Sequence, residues 1–426
     1  MDGFVELPIL RHRLGNGLEV VLHPDRDLPL VAVNLWYHVG SKNERRGRTG
    51  FAHLFEHMLF QGSEHVGTND HFRHLQRVGG VANGSTWYDR TNYYETVPAH
   101  ELDLALWLES DRMGFLLPGL DQTKLENQRD VVSNERRQRV DNQPYGRPFE
   151  RLFELLFPAD HPYSWPVIGT MEDIAAATLE DVREFFRTWY VPSNSVLTLA
   201  GDFEPADAIA RVERWFGDLP AGAPPATPRR PLPPLGRAVV ETVEDEVRLA
   251  RVYLAFRTEP FGTDSWFAAS LLSTLLADGK SSPLYRDLVW ERQIAQEVGC
   301  YVYPTEEVGV FLLVATAKPG VDPAALADAL HAHLARAASG EALSDDHLDR
   351  ARNKTLAGLY GELETLDHRA DQLSMYTTFF DRPELAWAEP ERYARLGATE
   401  LAAFASARLG RERGVELTVV PRRSVA

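Results

Sequence analysis

The sequence predicts an α+β protein of two homologous, duplicated domains, each a mixed or antiparallel β-sheet with helices packed mainly on one face. Three observations carry this. First, seven prolines between Pro220 and Pro234, mixed with Gly and Ala, divide the 426 residues near their midpoint. Such a run propagates neither a helix nor a central strand and reads as a semi-rigid spacer. Second, the halves end alike. A helical stretch opening at Ala177-Thr178 leads to the apolar Val196–Leu199, and one opening at Ala398-Thr399 leads to Leu417–Val420. Thr178 to Thr198 spans 20 residues and Thr399 to Thr418 spans 19. Third, strands cluster within each half instead of alternating strictly with helices, which favours an α+β layer over a doubly wound parallel sheet. The expected division is a first domain over 1–218, a linker over 219–236 and a second domain over 237–426.

The elements follow in order. Gly15-Asn16-Gly17 supplies the positive-φ positions of a tight hairpin turn before the strand Leu18–His23. Val31–Val39 is a second strand, followed by helical stretches over 50–61, 102–116 and 121–140. The paired glycines Gly79-Gly80 mark a turn, and the mixed polar and aromatic run after them is strand-like. Beyond the spacer, Ala250–Phe256 repeats the character of Val31–Val39 and again leads into a long helical stretch.

Composition sets outer limits. At 44% hydrophobic and 25% charged residues, a mainly disordered chain is excluded. A net charge of −17 argues against nucleic acid or an anionic membrane as the main partner, since both need a cationic face. A cationic peptide suits it better. Cys300 is the sole cysteine, so no internal disulfide forms and the fold rests on core packing. No apolar run approaches the ~18 residues that span a bilayer. The first residues, Met-Asp-Gly-Phe-Val-Glu, have neither a basic nor an apolar leader region. The expectation is a cytoplasmic protein, or a periplasmic one whose leader has been removed.

Chemistry concentrates in Phe51-Ala-His53-Leu-Phe-Glu56-His57-Met-Leu-Phe60. On a helix, Phe51, Leu54, Phe55, Met58 and Leu59 form one apolar stripe, and His53, Glu56 and His57 centre on the opposite face. Two imidazoles at i, i+4 stand one above the other and can reach one metal at ~2.0–2.1 Å. Glu56, between them, strains the tetrahedron as a ligand but can accept a proton from a water activated by the metal. Zinc is the ion this ligand type favours. A solvated helix face that happens to carry two histidines is the plain alternative, but chance supplies this pattern only ~0.04 times in such a chain. His65, His71, His74 and His100 have no comparable pairing and read as surface or cap residues.

His53-x-x-Glu56-His57 is the inverted zincin motif. With its surroundings it resembles the pitrilysin-type (M16) metallopeptidases, among which the chain looks like a bacterial two-domain subunit similar to the mitochondrial processing peptidase chains. The resemblance implies a zinc-dependent endopeptidase with one Zn²⁺ per chain, held by His53, His57 and a distal glutamate. Glu135, 78 residues after His57 in Arg129-Asp-Val-Val-Ser-Asn-Glu135, matches that glutamate. Glu56 takes the catalytic role. Asn83 and Gly84 match the positions where an edge strand holds the substrate backbone, a mode that tolerates varied side chains. One departure is Gln128, where many members carry a second glutamate, so a charge near the ligands is absent.

The second half has no such motif. By the resemblance it should contribute an arginine and a tyrosine seven residues apart that polarise the substrate, but Val289 and Gln296 hold those positions. Losing one preorganised donor to an oxyanion typically costs ~10²–10³ in rate. The implied arrangement is therefore a subunit acting on oligopeptides or unfolded segments in an enclosed chamber. A homologous chain without zinc supplies the missing pair in a heterodimer, with a homodimer as the other assembly. The rival reading is a non-catalytic, metal-containing core or scaffold subunit of a larger complex.

Overall fold

The computed structural model describes residues 7–226 and 232–422. Residues 1–6, 423–426 and 227–231, the last within the expected 219–236 linker, lie outside the described residues. The strands are β1 (Leu10–Arg13), β2 (Glu19–Pro24), β3 (Leu30–Tyr37), β4 (Val81–Thr86), β5 (Thr91–Pro98), β6 (Ser195–Gly201), β7 (Val239–Asp245), β8 (Arg251–Thr258), β9 (Ala295–Tyr303), β10 (Gly309–Ala317) and β11 (Gly414–Pro421). The helices are α1 (Phe51–Met58), α2 (Asp70–Arg77), α3 (Leu102–Phe115), α4 (Gln122–Arg136), α5 (Gly146–Leu156), α6 (Met171–Ala176) and α7 (Leu179–Trp189). They continue with α8 (Pro205–Phe216), α9 (Asp264–Ala277), α10 (Pro323–Ala338), α11 (Asp345–Glu362), α12 (Leu366–Phe380), α13 (Leu385–Arg395) and α14 (Ala398–Arg408).

Two sheets form, in the orders β1-β2-β6-β3-β5-β4 and β7-β11-β8-β10-β9. Setting β1 aside, both run first, last, second, fourth, third. In each, the first and last strands pair in parallel and the other neighbours are antiparallel. A shared order this irregular is the topological mark of duplication, and the fold is an α+β repeat. The matching ends have a local cause. Thr178 caps α7 by accepting from the Asp181 amide, and Glu400 reaches back to the Gly397 amide at the start of α14. Each helix then delivers the strand that enters its sheet second from the edge of the shared order.

The compact units depart from the contiguous division 1–218 and 237–426. The first runs to Arg136, resumes at Trp165 and takes in Tyr360–Ala388; the second holds Arg137–Ser164, continues from the spacer to Leu359 and resumes at Glu389. The cause is that each sheet has two faces to cover. In the first unit, alternate residues such as Val33, Leu35, Tyr37, Leu197 and Leu199 pack under α1, α3, α7 and α8. The opposite face carries Ala32, Ala200, Asn34 and Trp36, and α12 lies against it through Ala370. Asp371 of α12 accepts from Trp36 Nε1 at 2.8 Å, Asn92 Nδ2 at 3.0 Å and Asn34 Nδ2 at 3.2 Å, and Ser374 Oγ donates to Thr198 Oγ1 at 2.7 Å. In the second unit, α5 covers the sheet, with Arg151 paired to Glu241 of β7 at 2.7 Å and Arg257 of β8 donating to the Leu156 carbonyl at 2.6 Å. Both covering helices come from the other half of the sequence.

Candidate metal centre

α1 folds as its apolar stripe dictates. Phe51, Leu54, Phe55, Met58 and Leu59 are buried in the first unit's core, and His53, Glu56 and His57 are half-buried on the other side. The helix start is fixed by Glu44, whose carboxylate accepts from the amides of Gly50 at 3.0 Å and Ala52 at 2.7 Å. An acid there satisfies orphan amides at the positive end of the helix. Gly50 has φ +83°, and a Cβ would meet the Ile168 carbonyl oxygen at 2.6 Å, so the entry turn requires glycine.

The imidazoles of His53 and His57 stand 4.8 Å apart between ring centroids. Glu135, in the last turn of α4, reaches them both: Oε2 lies 3.7 Å from His53 Nε2 and 3.3 Å from His57 Nε2. One donor atom from each residue lies within 4.8 Å of the other two. Ligand atoms ~2.0–2.1 Å from a tetrahedral zinc sit about 3.3 Å from each other. The two Glu135 distances lie near that spacing and the three donors together are close enough to converge on one such ion, and a two-His, one-Glu set leaves the fourth position open. Electrostatics agree. Burial alone disfavours the His57 imidazolium, yet its hydrogen bond to Glu135 and the charges of Glu56 and Glu135 outweigh burial and raise its pKa. The pocket draws positive charge. Gln128, buried on α4, hydrogen-bonds His57 and so orients that ring without adding a charge.

Glu56 stands outside this donor set. Its Oε2 accepts from Thr86 Oγ1 at 2.6 Å. Burial raises the Glu56 pKa, opposed by the Thr86 hydroxyl, His57 and the Arg90 charge. Arg90 is itself held against the hairpin, donating to the Ser85 carbonyl at 3.0 Å with its guanidinium 5.2 Å from the Trp36 ring centroid. Sequence reasoning missed Thr86 and Arg90, because a hydroxyl 30 residues from the base leaves no local pattern.

Asn83 and Gly84 lie on β4, the edge strand of the first sheet, beside α1. Asn83 is exposed, and its Oδ1 accepts from the Gly84 amide at 2.9 Å. A Cβ at Gly84 would sit 3.3 Å from Glu56 Cγ, so the small residue also makes room for the carboxylate.

The other histidines divide. His65 has a half-exposed side chain and pairs with Asp111 at 2.5 Å, and His100 is exposed. His71 corrects its surface reading. It is buried beside Phe60 and Phe72, with a ligand atom within 4.8 Å of Glu95 and Glu109. There Arg112 already pairs with Glu109, so the cation at that cluster is a guanidinium. Helix α2 hides His71 because its inward face falls on residues 71 and 75, a period that the isolated histidine did not reveal. In the second unit, Val289 is half-buried on the helical turn Tyr285–Glu291, and Gln296 is exposed on β9. Among the described residues, no helix is long and apolar enough to cross a membrane.

Comparison with known proteins accords with this geometry. Residues 19–160 match the family model described as insulinase (peptidase family M16), and residues 176–355 match that of the peptidase M16 inactive domain. The zinc protease PqqE of Helicobacter pylori is 32% identical over 357 residues, covering 83% of this chain and 79% of that protein. An uncharacterized zinc protease of Mycobacterium leprae is 30% identical, covering 73% of this chain and 70% of its own length. The crystal structure of a protease from Helicobacter pylori superposes with a TM-score of 0.92 at 29% identity, covering 98% of this chain and all of that one. The chain belongs to the M16 peptidase family.

Proposed function

We propose that the chain is the zinc-bearing subunit of an endopeptidase that hydrolyses oligopeptides or unfolded segments. The observation that carries this reading is the convergence of His53, His57 and Glu135 on one point, with Glu56 adjacent and outside the donor set. A zinc ion held by those three residues, one per chain, supplies Lewis-acid polarisation of the scissile carbonyl and of a water. The remaining steps belong to the chain's own residues. A peptide adds to β4 as a further strand, its main chain held at Asn83 and Gly84. Glu56 accepts a proton from the attacking water and returns it to the leaving amine.

Val289 and Gln296 stand where the family places an arginine and a tyrosine, so a homologous chain without zinc supplies that pair and closes the chamber around the peptide. The chain's negative charge favours cationic segments. The same missing pair is what favours the second reading, a metal-containing scaffold subunit. Metal analysis and quenched-peptide turnover, with and without the product of a neighbouring homologous gene, separate the two. Glu56→Gln should retain zinc while turnover falls by ~10²–10⁴-fold. Turnover that survives this change removes the mechanism, and full activity from the isolated chain removes the partner.

A further inference from the structure

The hairpin that follows the edge strand is built more firmly than strand pairing requires. Thr86 is the last residue of β4 and lies opposite Thr91 of β5. The turn between them closes through the Trp87 amide on the Arg90 carbonyl at 2.9 Å. Its outer carbonyls, those of Trp87 and Tyr88, accept from the amides of Ser41 at 3.1 Å and Lys42 at 2.9 Å. Lys42 Nζ also pairs with Asp89 at 3.1 Å, both side chains being almost fully buried. Ser85, next to Thr86, is gripped from the other side. Its hydroxyl takes a hydrogen bond from Arg90 at 2.5 Å and donates to Asn92 Oδ1 at 2.6 Å. These contacts leave Thr86 little freedom, and its hydroxyl donates to Glu56 Oε2 while accepting from Thr91 Oγ1 at 3.5 Å.

We propose that Thr86 is a positioning residue for Glu56. Its hydroxyl pins Oε2 at 2.6 Å, turning the other carboxylate oxygen, Oε1, toward the reacting water as the proton acceptor. Gly84 completes the device from below, since any side chain there would press on Glu56 Cγ. A carboxylate on a helix surface otherwise samples several rotamers, and a misplaced base loses much of its contribution. The inference rests on the peptidase reading for its consequence, but not for its geometry.

The test compares Thr86→Val, which keeps the shape and removes the donor, with Thr86→Ser, which keeps the donor. Each zinc-loaded chain, with its partner where one is required, is assayed on a quenched peptide. Each is also titrated with acetohydroxamic acid, which binds a zinc site as acetohydroxamate after passing its proton to a neighbouring base. Thr86→Val should keep full zinc content, lose about ten- to a hundred-fold in kcat with little change in KM, and bind acetohydroxamate about ten-fold more weakly. Thr86→Ser should stay within about three-fold of the parent in both assays, since the donor is retained. Thr86→Val equal to the parent in acetohydroxamate affinity overturns the proposal. So does Thr86→Ser as impaired as Thr86→Val, which marks a packing role. If no peptide is cleaved under any condition while acetohydroxamate follows the expected order, the peptidase reading falls and the positioning role stands.

Discussion

Asp371→Ala is the substitution whose effect the structure defines most fully. Asp371 sits on α12 and accepts three hydrogen bonds at 2.8, 3.0 and 3.2 Å from Trp36, Asn92 and Asn34, each of which is only 2% exposed. Removing the carboxylate leaves three buried donors without that acceptor, and each orphaned group costs about 1–3 kcal/mol. Asn92 and Asn34 keep the bond between them at 3.2 Å, which offsets part of the loss. The expected destabilisation is therefore about 3–5 kcal/mol, a large share of the 5–15 kcal/mol typical of a folded protein. For a unit of this size that is a fall in Tm of roughly 6–20 °C. Asp371→Asn keeps an oxygen acceptor and should cost only about 1 kcal/mol, because a neutral acceptor replaces a charged one. Thermal and urea unfolding of the two variants against the parent measure this directly. An Asp371→Ala variant within about 1 kcal/mol of the parent would refute the account of α12 as a polar-anchored cover for the first sheet.

Two further outcomes concern the site and its surroundings. If Glu135 is a zinc ligand as proposed, Glu135→Gln replaces a charged ligand by an amide, and zinc affinity measured by chelator competition should fall by more than the ~10–100-fold typical of losing a residue that only orients a ligand; unchanged affinity would refute that role for Glu135. His65 has its pKa raised by the hydrogen bond and charge of Asp111, so its protonated form is the one that stabilises the fold. That contribution is present in full below the unfolded histidine value of about 6.5 and is lost as pH rises through the higher folded value. Tm should therefore decline across that window in the parent, and His65→Gln should flatten the decline; parallel curves would rule the pair out.

How much of this was legible beforehand depends on the range of the interaction involved. The pairing of His53 with His57, and the place of Glu56 beside them, follow from helical geometry over five residues, because a 3.6-residue period fixes side-chain directions whatever the rest of the chain does. The duplicated unit was equally readable, from Thr178 and the strand behind it and from the corresponding stretch at Ala398. Glu135 was identified through family likeness alone. Taken by itself it is one acid on an exposed helix, and only the packing of α4 against α1 brings its Oε2 to 3.3 Å from His57. Thr86, Arg90 and Asp371 had no signal at all, since each acts on a partner across a sheet or a helix boundary. The exchange of α5 and α12 between the halves belongs here too. Residues 366–380 form a helix, but which sheet it covers is decided by where its Ala370 and Asp371 find a complementary face. Sequence alone thus determined the side-chain directions on single helices and strands, where backbone period dictates which residues share a face. Tertiary structure decided every contact whose energy comes from surfaces distant in the chain, because burial and hydrogen-bond complementarity exist only once those surfaces meet.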